Sequence, residues 1–189
     1  MADKKYVLGS GEAFFMDYDP SLKDPDEIIE VVFVPENQWG HIKSGATLNM
    51  ANAYHNVKSD LGEVDENIIT SDAGSLQLGT LTVSEKVLKS TNETARVVVS
   101  KKGDGKILKL GGISNATGQK YFIGFKHEDP VQGDLLVVIA GKNNGELNLT
   151  FNADSETILQ PTFACSPLDD EGSKVFIKFC DPVDQSADI

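Results

Sequence analysis

The sequence predicts a mainly β protein, a sandwich or barrel of two packed antiparallel sheets flanked by one short α-helix. Three observations carry this. Short strand signals recur along the whole chain while convincing helix signals are scarce. Residues 120–151, KYFIGFKHEDPVQGDLLVVIAGKNNGELNLTF, hold three consecutive strand signals and the two turns that join them, the outline of a meander. The chain of 189 residues, 40% hydrophobic and 24% charged, has the balance of one globular domain with a sizeable core, so residues 1–189 read as a single unit.

Taken in order, residues 1–11 are polar and punctuated by Gly and Ser, which predicts a mobile arm or an edge extension. EAFFMD (12–17) gives a short strand, and YDPSLKDPDEIIE carries two Asp-Pro steps that read as an extended turn region. EVVFV (30–34) reads as a strand stopped by Pro35. Another follows Trp39-Gly40, with Ala46, Leu48 and Met50 on one face. Residues 53–72, AYHNVKSDLGEVDENIITSD, are polar and acid-rich, and predict a long protruding loop. Residues 75–83 form a strand leading into the one helix, with Thr82 as N-cap, Glu85 closing a capping box, and Val83, Val87 and Leu88 as its apolar stripe. Residues 95–100 and 106–110 are strands joined by the Gly103-Asp104-Gly105 turn.

In the meander, residues 120–126 are aromatic and β-branched, and Asp129-Pro130 stops them. Residues 134–140 are apolar almost throughout, the pattern of a strand covered on both faces. Asn144-Gly145 is a hairpin signal, after which Leu147, Leu149 and Phe151 alternate with polar residues as a third strand. Residues 157–165 and 174–181 are the last two strands, paired across the SPLDDEGS loop. That pairing sets Cys180 opposite Leu159, roughly 20 Å from Cys165 at ~3.3 Å per residue, and predicts two free thiols.

The search for chemistry is nearly empty. His41, His55 and His127 lie far apart, with no HExxH or CxxC spacing, and His127 beside Glu128 and Asp129 reads as a solvated turn cluster. Asp17 and Asp19 hint at a calcium loop, but Leu22 stands where such a loop needs Gly. The glycines of GGISNATG lack the lysine and helix of a phosphate cradle. No enzymatic activity, cofactor or metal is expected. A net charge of −12 disfavours nucleic-acid binding, which needs clustered Lys and Arg. No apolar run approaches the roughly 20 residues that cross a bilayer, and MADKKYVLGSGE lacks the apolar centre of a signal peptide, which predicts a soluble product that stays in the cytosol.

From Ile42 onward the pieces, in their order, resemble the major tail (tail tube) proteins of long-tailed bacteriophages, the siphophage type infecting Gram-positive hosts. The matching stretches are IKSGATLNM, SDLGEV, LGTLTVSEKVL with TARV, ILKLGGISNATGQKYFIGFKHEDPVQGDLLVVIAGKN, and LTFNADSETILQPTFACSPLDDEGS. The HEDPVQGD turn, the NADSETIL link and the PLDDEG turn are the most specific, and residues before Ile42 resemble the family more loosely. No extra immunoglobulin-like domain, which some relatives carry, is visible at the carboxyl end.

The resemblance implies a structural virion protein that assembles as hexameric rings stacked into a hollow tube, the conduit for DNA ejection. Its implied partners are further copies of itself and the tape measure, tail-tip and tail-terminator proteins. DNA would traverse the lumen without specific binding, kept off an acidic wall by repulsion over a Debye length of about 8 Å. The implied location is the virion tail, assembled in the host cytoplasm. Residues 58–67 occupy the position of the family's inter-ring loop, which assigns Lys58, Asp60, Glu63, Asp65 and Glu66 to ring stacking. Two other readings compete: the tube of a contractile injection system or tailocin, and a β-sandwich carbohydrate-binding module. The second would favour exposed aromatics on a flat face, whereas Trp39 is the one tryptophan.

Overall fold

A computed structural model describes residues 11–59, 65–151, 153–154 and 156–182. These fold as the mainly β protein expected, with β1 (Glu12–Asp17), α1 (Pro25–Val32), β2 (Gln38–Lys58), β3 (Asp65–Thr80), α2 (Glu85–Thr91), β4 (Arg96–Val99), β5 (Lys106–Lys109), β6 (Tyr121–His127), β7 (Leu135–Asn143), β8 (Thr162–Ser166) and β9 (Val175–Phe179). Antiparallel pairing runs β6-β1-β2-β3-β8-β7, and β6 also pairs with β7, which closes six strands into a barrel. Among the described residues, strands β4 and β5 pair only with each other.

Period-2 alternation builds two cores from the same strands. Ala13, Phe15, Ile123, Phe125, Val137 and Ile139 point into the barrel, while Phe14, Phe122, Leu136, Val138 and Ala140 point outward beneath α1. This double coverage is why residues 134–140 are apolar almost throughout. Inside the barrel Trp39 stacks on Phe15 at 5.3 Å, and its indole N–H donates to Ser90 Oγ at 3.0 Å. Ser90 in turn donates to the Val87 carbonyl, so α2 is tied to the barrel interior through a satisfied polar chain.

Several expected elements differ. The expected turn region forms only as far as Asp24, with a turn closed by the Leu22 amide on the Asp19 carbonyl; Pro25–Val32 are helix α1, and in place of the strand expected at 30–34 the helix ends and a 3₁₀ turn, Pro35–Asn37, follows. Asp24 caps α1 by accepting from the amides of Asp26 and Glu27, Pro25 takes the first turn, and Ile28, Ile29 and Val32 form the buried face. The one expected helix forms as α2, but Ser84 and not Thr82 is its N-cap, accepting from the Val87 amide at 3.2 Å. Thr82 Oγ1 instead accepts from the His41 amide, and Val83 is exposed.

The third meander strand is β8, not residues 146–151. Asn143 Oδ1 accepts from both the Gly145 and Thr162 amides, and the Asn144 amide donates to the Thr162 carbonyl. The turn residues therefore bind β8, while Leu147 and Leu149 pack on the barrel core without joining a ladder. Nor do the last two strands pair with each other. Both lie on one edge of β7, β8 beside Ala140–Asn143 and β9 beside Leu135–Ile139, as a single line interrupted by the loop at 167–174. Leu168 from that loop is buried in the outer core.

Both cysteines are free, as expected, though for a different reason. Cys165 sits opposite Gly141, whereas the Cys180 amide donates to the Asp134 carbonyl, so the thiols lie roughly 23 Å apart along β7 at ~3.3 Å per residue. Burial pushes the Cys165 thiol up to about 11, with Lys174 partly opposing. Dithiothreitol is therefore expected to leave the melting temperature unchanged, and iodoacetamide at pH 8 to label Cys165 slowly, with a rate that climbs as pH approaches 11. A melting temperature that falls on reduction contradicts the spacing, and fast labelling at pH 8 contradicts the burial.

Candidate functional site: a two-stranded arm

The stretch at 53–72, expected to be a protruding loop, is strand at 53–58 and 65–72. Strands β2 and β3 stay paired from Ile42↔Thr80 out to Lys58↔Asp65. Only 60–64, between them, lies outside the described residues, and with it Asp60 and Glu63. The correction has a physical basis. Tyr54, Val57, Ile68, Ile69 and Thr70 are β-formers, Tyr54 meets Ile69 across the hairpin, and cross-strand pairing organises a segment that supplies no core.

The ribbon has two parts. Near the barrel, Leu76, Leu78 and Thr80 are buried and Ala46 and Leu48 pack on the core. A bulge between Ile42 and Ala46, where Ser44 and Gly45 take φ of 73° and 69°, bends β2 there. Gly79 is required at this bend, since a Cβ would stand 2.0 Å from the Lys43 carbonyl oxygen. Beyond Leu48 and Gly74 the strand residues of the ribbon are exposed on both faces. Met50, Tyr54, Ile68 and Ile69 are about half exposed or more, and Tyr54 pairs with Ile69.

Polar contacts fix the arm's outer and inner ends. Asn56 Nδ2 donates to Asp65 Oδ1 at 2.8 Å and Asn67 Oδ1 at 2.9 Å, and Lys58 Nζ lies 3.7 Å from Asp65 Oδ2. Of the expected stacking residues, then, Lys58 and Asp65 come together, while Glu66 stands opposite Val57. The acids do not simply repel one another, because Asp65 is balanced locally. Lys174 reaches Asp72 at 2.7 Å, and this hydrogen bond holds the Asp72 carboxyl below the usual range.

Among the described residues, both long edges of the arm are open. Strand β1 pairs with β2 only up to His41, and β8 pairs with β3 only at Ser75–Gln77, so no described strand flanks the ribbon beyond these points. Unpaired N–H and C=O groups on an exposed apolar edge are a template for another strand. A two-stranded ribbon alone is marginal in water, so this geometry is suited to pairing with a further chain. At the arm's root an open cleft of about 490 Å³ lies between the β2 bulge and β9, with Leu48, Leu135, Ile177 and Phe179 in its wall.

The remaining candidates do not assemble into a site. His41 and His55 lie on β2, far apart, and His127 is a buried final residue of β6 opposite Leu135, not a solvated turn residue. Asp19 Oδ1 accepts from the Ser21 amide and hydroxyl, which braces a turn and lowers its carboxyl. Among the described residues no group of three or more His, Cys, Asp or Glu is placed to hold a metal ion, and no helix is long and apolar enough to cross a membrane.

The fold and arm define a class: a closed antiparallel barrel that extends one hairpin, open at both edges among the described residues, beyond its own core. In comparisons with known proteins, no family model and no curated protein matches this chain.

Proposed function

We propose that the chain is the tube subunit of a siphophage-type tail, a structural protein whose copies close into rings, hexameric as the resemblance implies, and stack into a DNA conduit. The observation that carries this is the arm, both of whose edges are open among the described residues. It exposes main-chain groups and half-exposed Tyr54, Ile68 and Ile69, which a lone monomer gains nothing by presenting. The resemblance of the segments from Ile42 onward supports the same reading, as does the acidity suited to a lumen that DNA must not adhere to.

Negative-stain microscopy and sedimentation of the purified protein over a concentration series test it. Rings or tubes are expected, with association rising by mass action. A species that sediments only as monomer at high concentration, even with a tail-initiation partner added, overturns the proposal.

A further inference from the structure

The protein's charge is unevenly distributed. Residues 84–120 carry eight Lys and Arg against three acids, a local +5, whereas the rest carries nine against 26, or −17. The basic segment contains the β4–β5 ribbon, the only described two-stranded sheet outside the barrel. Val98 pairs with Ile107 and Arg96 with Lys109, so one face has an apolar centre and a cationic edge. Lys101, Lys102 and Lys109 are exposed and enter no ion pair among the described residues, and Ile107 and Val99 are also exposed. Lys106 Nζ on Glu85 at 2.7 Å moors the ribbon to α2.

A complementary surface exists on the same chain. Helix α1 exposes Asp26, Glu27 and Glu30 with no basic residue in its last turn. Lys23 binds Asp170, which draws the acidic loop after β8, with exposed Glu171, to the same face. Lys178, on Asp26 at 2.6 Å, is the other cation there. No ion pair joins this face to the ribbon within the described residues of one chain. Helix α1 covers the outer core, whereas α2, which carries the ribbon, packs on the inner one.

We propose that the β4–β5 ribbon docks on the acidic face formed by α1 and the β8–β9 loop of a second copy of this chain. The proposal rests on the tube-subunit reading and names a contact between neighbouring subunits that the arm does not supply. Because the two surfaces differ, the contact is head-to-tail, and repeated use closes a ring or extends a filament. Its apolar centre would be covered and its cations paired, so association should weaken as salt shortens the Debye length from about 8 Å toward about 3 Å. Nucleic acid is the poorer occupant, since the surrounding surface would repel phosphate.

The test uses two triple variants of the full chain, K101E/K102E/K109E on the ribbon and E27K/E30K/E171K on the acidic face. All six positions are exposed, so circular dichroism should match wild type. Each variant alone should associate at least ~tenfold more weakly in sedimentation, and an equimolar mixture should recover association, because each then offers the other a complementary surface. A ribbon variant that assembles like wild type, or folded variants that fail to recover on mixing, overturns the ribbon contact and leaves the tube reading standing. Wild type that never assembles overturns the tube reading itself. Loss of duplex-DNA binding by a ribbon variant that still assembles assigns the ribbon to nucleic acid and also overturns the contact.

Discussion

Replacing residues 53–71 by an Asn-Gly turn between Asn52 and Asp72 is expected to leave a folded monomer and abolish rings and tubes. The strand residues of the deleted part are exposed on both faces and none belongs to either core, so their removal withdraws almost nothing from it. Asn52 and Asp72 are cross-strand partners, so a two-residue turn can join them, and shortening a loop costs little entropy. Asp72 keeps its ion pair with Lys174 at the barrel. The monomer should melt within about 3 °C of wild type, the range of surface changes. Assembly should be lost outright, because the open edges and the Tyr54, Ile68 and Ile69 side chains go together. Negative-stain images and circular dichroism of the same preparation check both halves. Tubes of normal length from the shortened protein would remove the arm from assembly.

The parts of the fold most legible in the sequence were those where local chemistry and tertiary context agree. Strands β1, β6 and β7 announce themselves by alternation or by continuous apolar runs because both cores depend on them. Helix α1 was hidden by its own start signal, since Asp24-Pro25 is equally a turn step and a cap followed by a first-turn proline. Residues 146–151 show the reverse: alternation reported correctly that Leu147 and Leu149 face the core, but whether a ladder forms is decided by the distant amide of Thr162, which Asn143 captures. The arm was misread because periodicity detects a buried face and the arm has none. Its signal was propensity, in Tyr54, Val57, Ile68 and Ile69, and that is weaker than pattern. Of its expected stacking residues, Lys58 and Asp65 are joined by the register, which a loop reading cannot supply.

The largest expected loss of stability comes from F163A. Phe163 is fully buried, with ring centroids 5.3 Å from Phe15 and 6.1 Å from Trp39. Its position matters as much as its volume, since it pairs with Leu76 of β3 on one side and with Asn143 of β7 on the other. The five-residue strand β8 is thus the seam that closes the barrel, and Phe163 is its anchor. Truncating a buried Phe costs about 3–5 kcal/mol, a large share of the roughly 5–15 kcal/mol that stabilises a typical domain. For a chain of this size that corresponds to a fall of roughly 6–20 °C in melting temperature. Trp39, the only tryptophan, lies against the cavity this would open, so its fluorescence reports the transition during urea unfolding. Phe151 is the control: the same residue type at 80% exposure, where F151A should change stability by no more than about 0.5 kcal/mol. F163A should also fail to assemble at temperatures where it is partly unfolded, and recover on cooling, unlike the arm deletion, which fails at every temperature. An F163A protein that melts with wild type would mean that β8 does not hold the barrel closed.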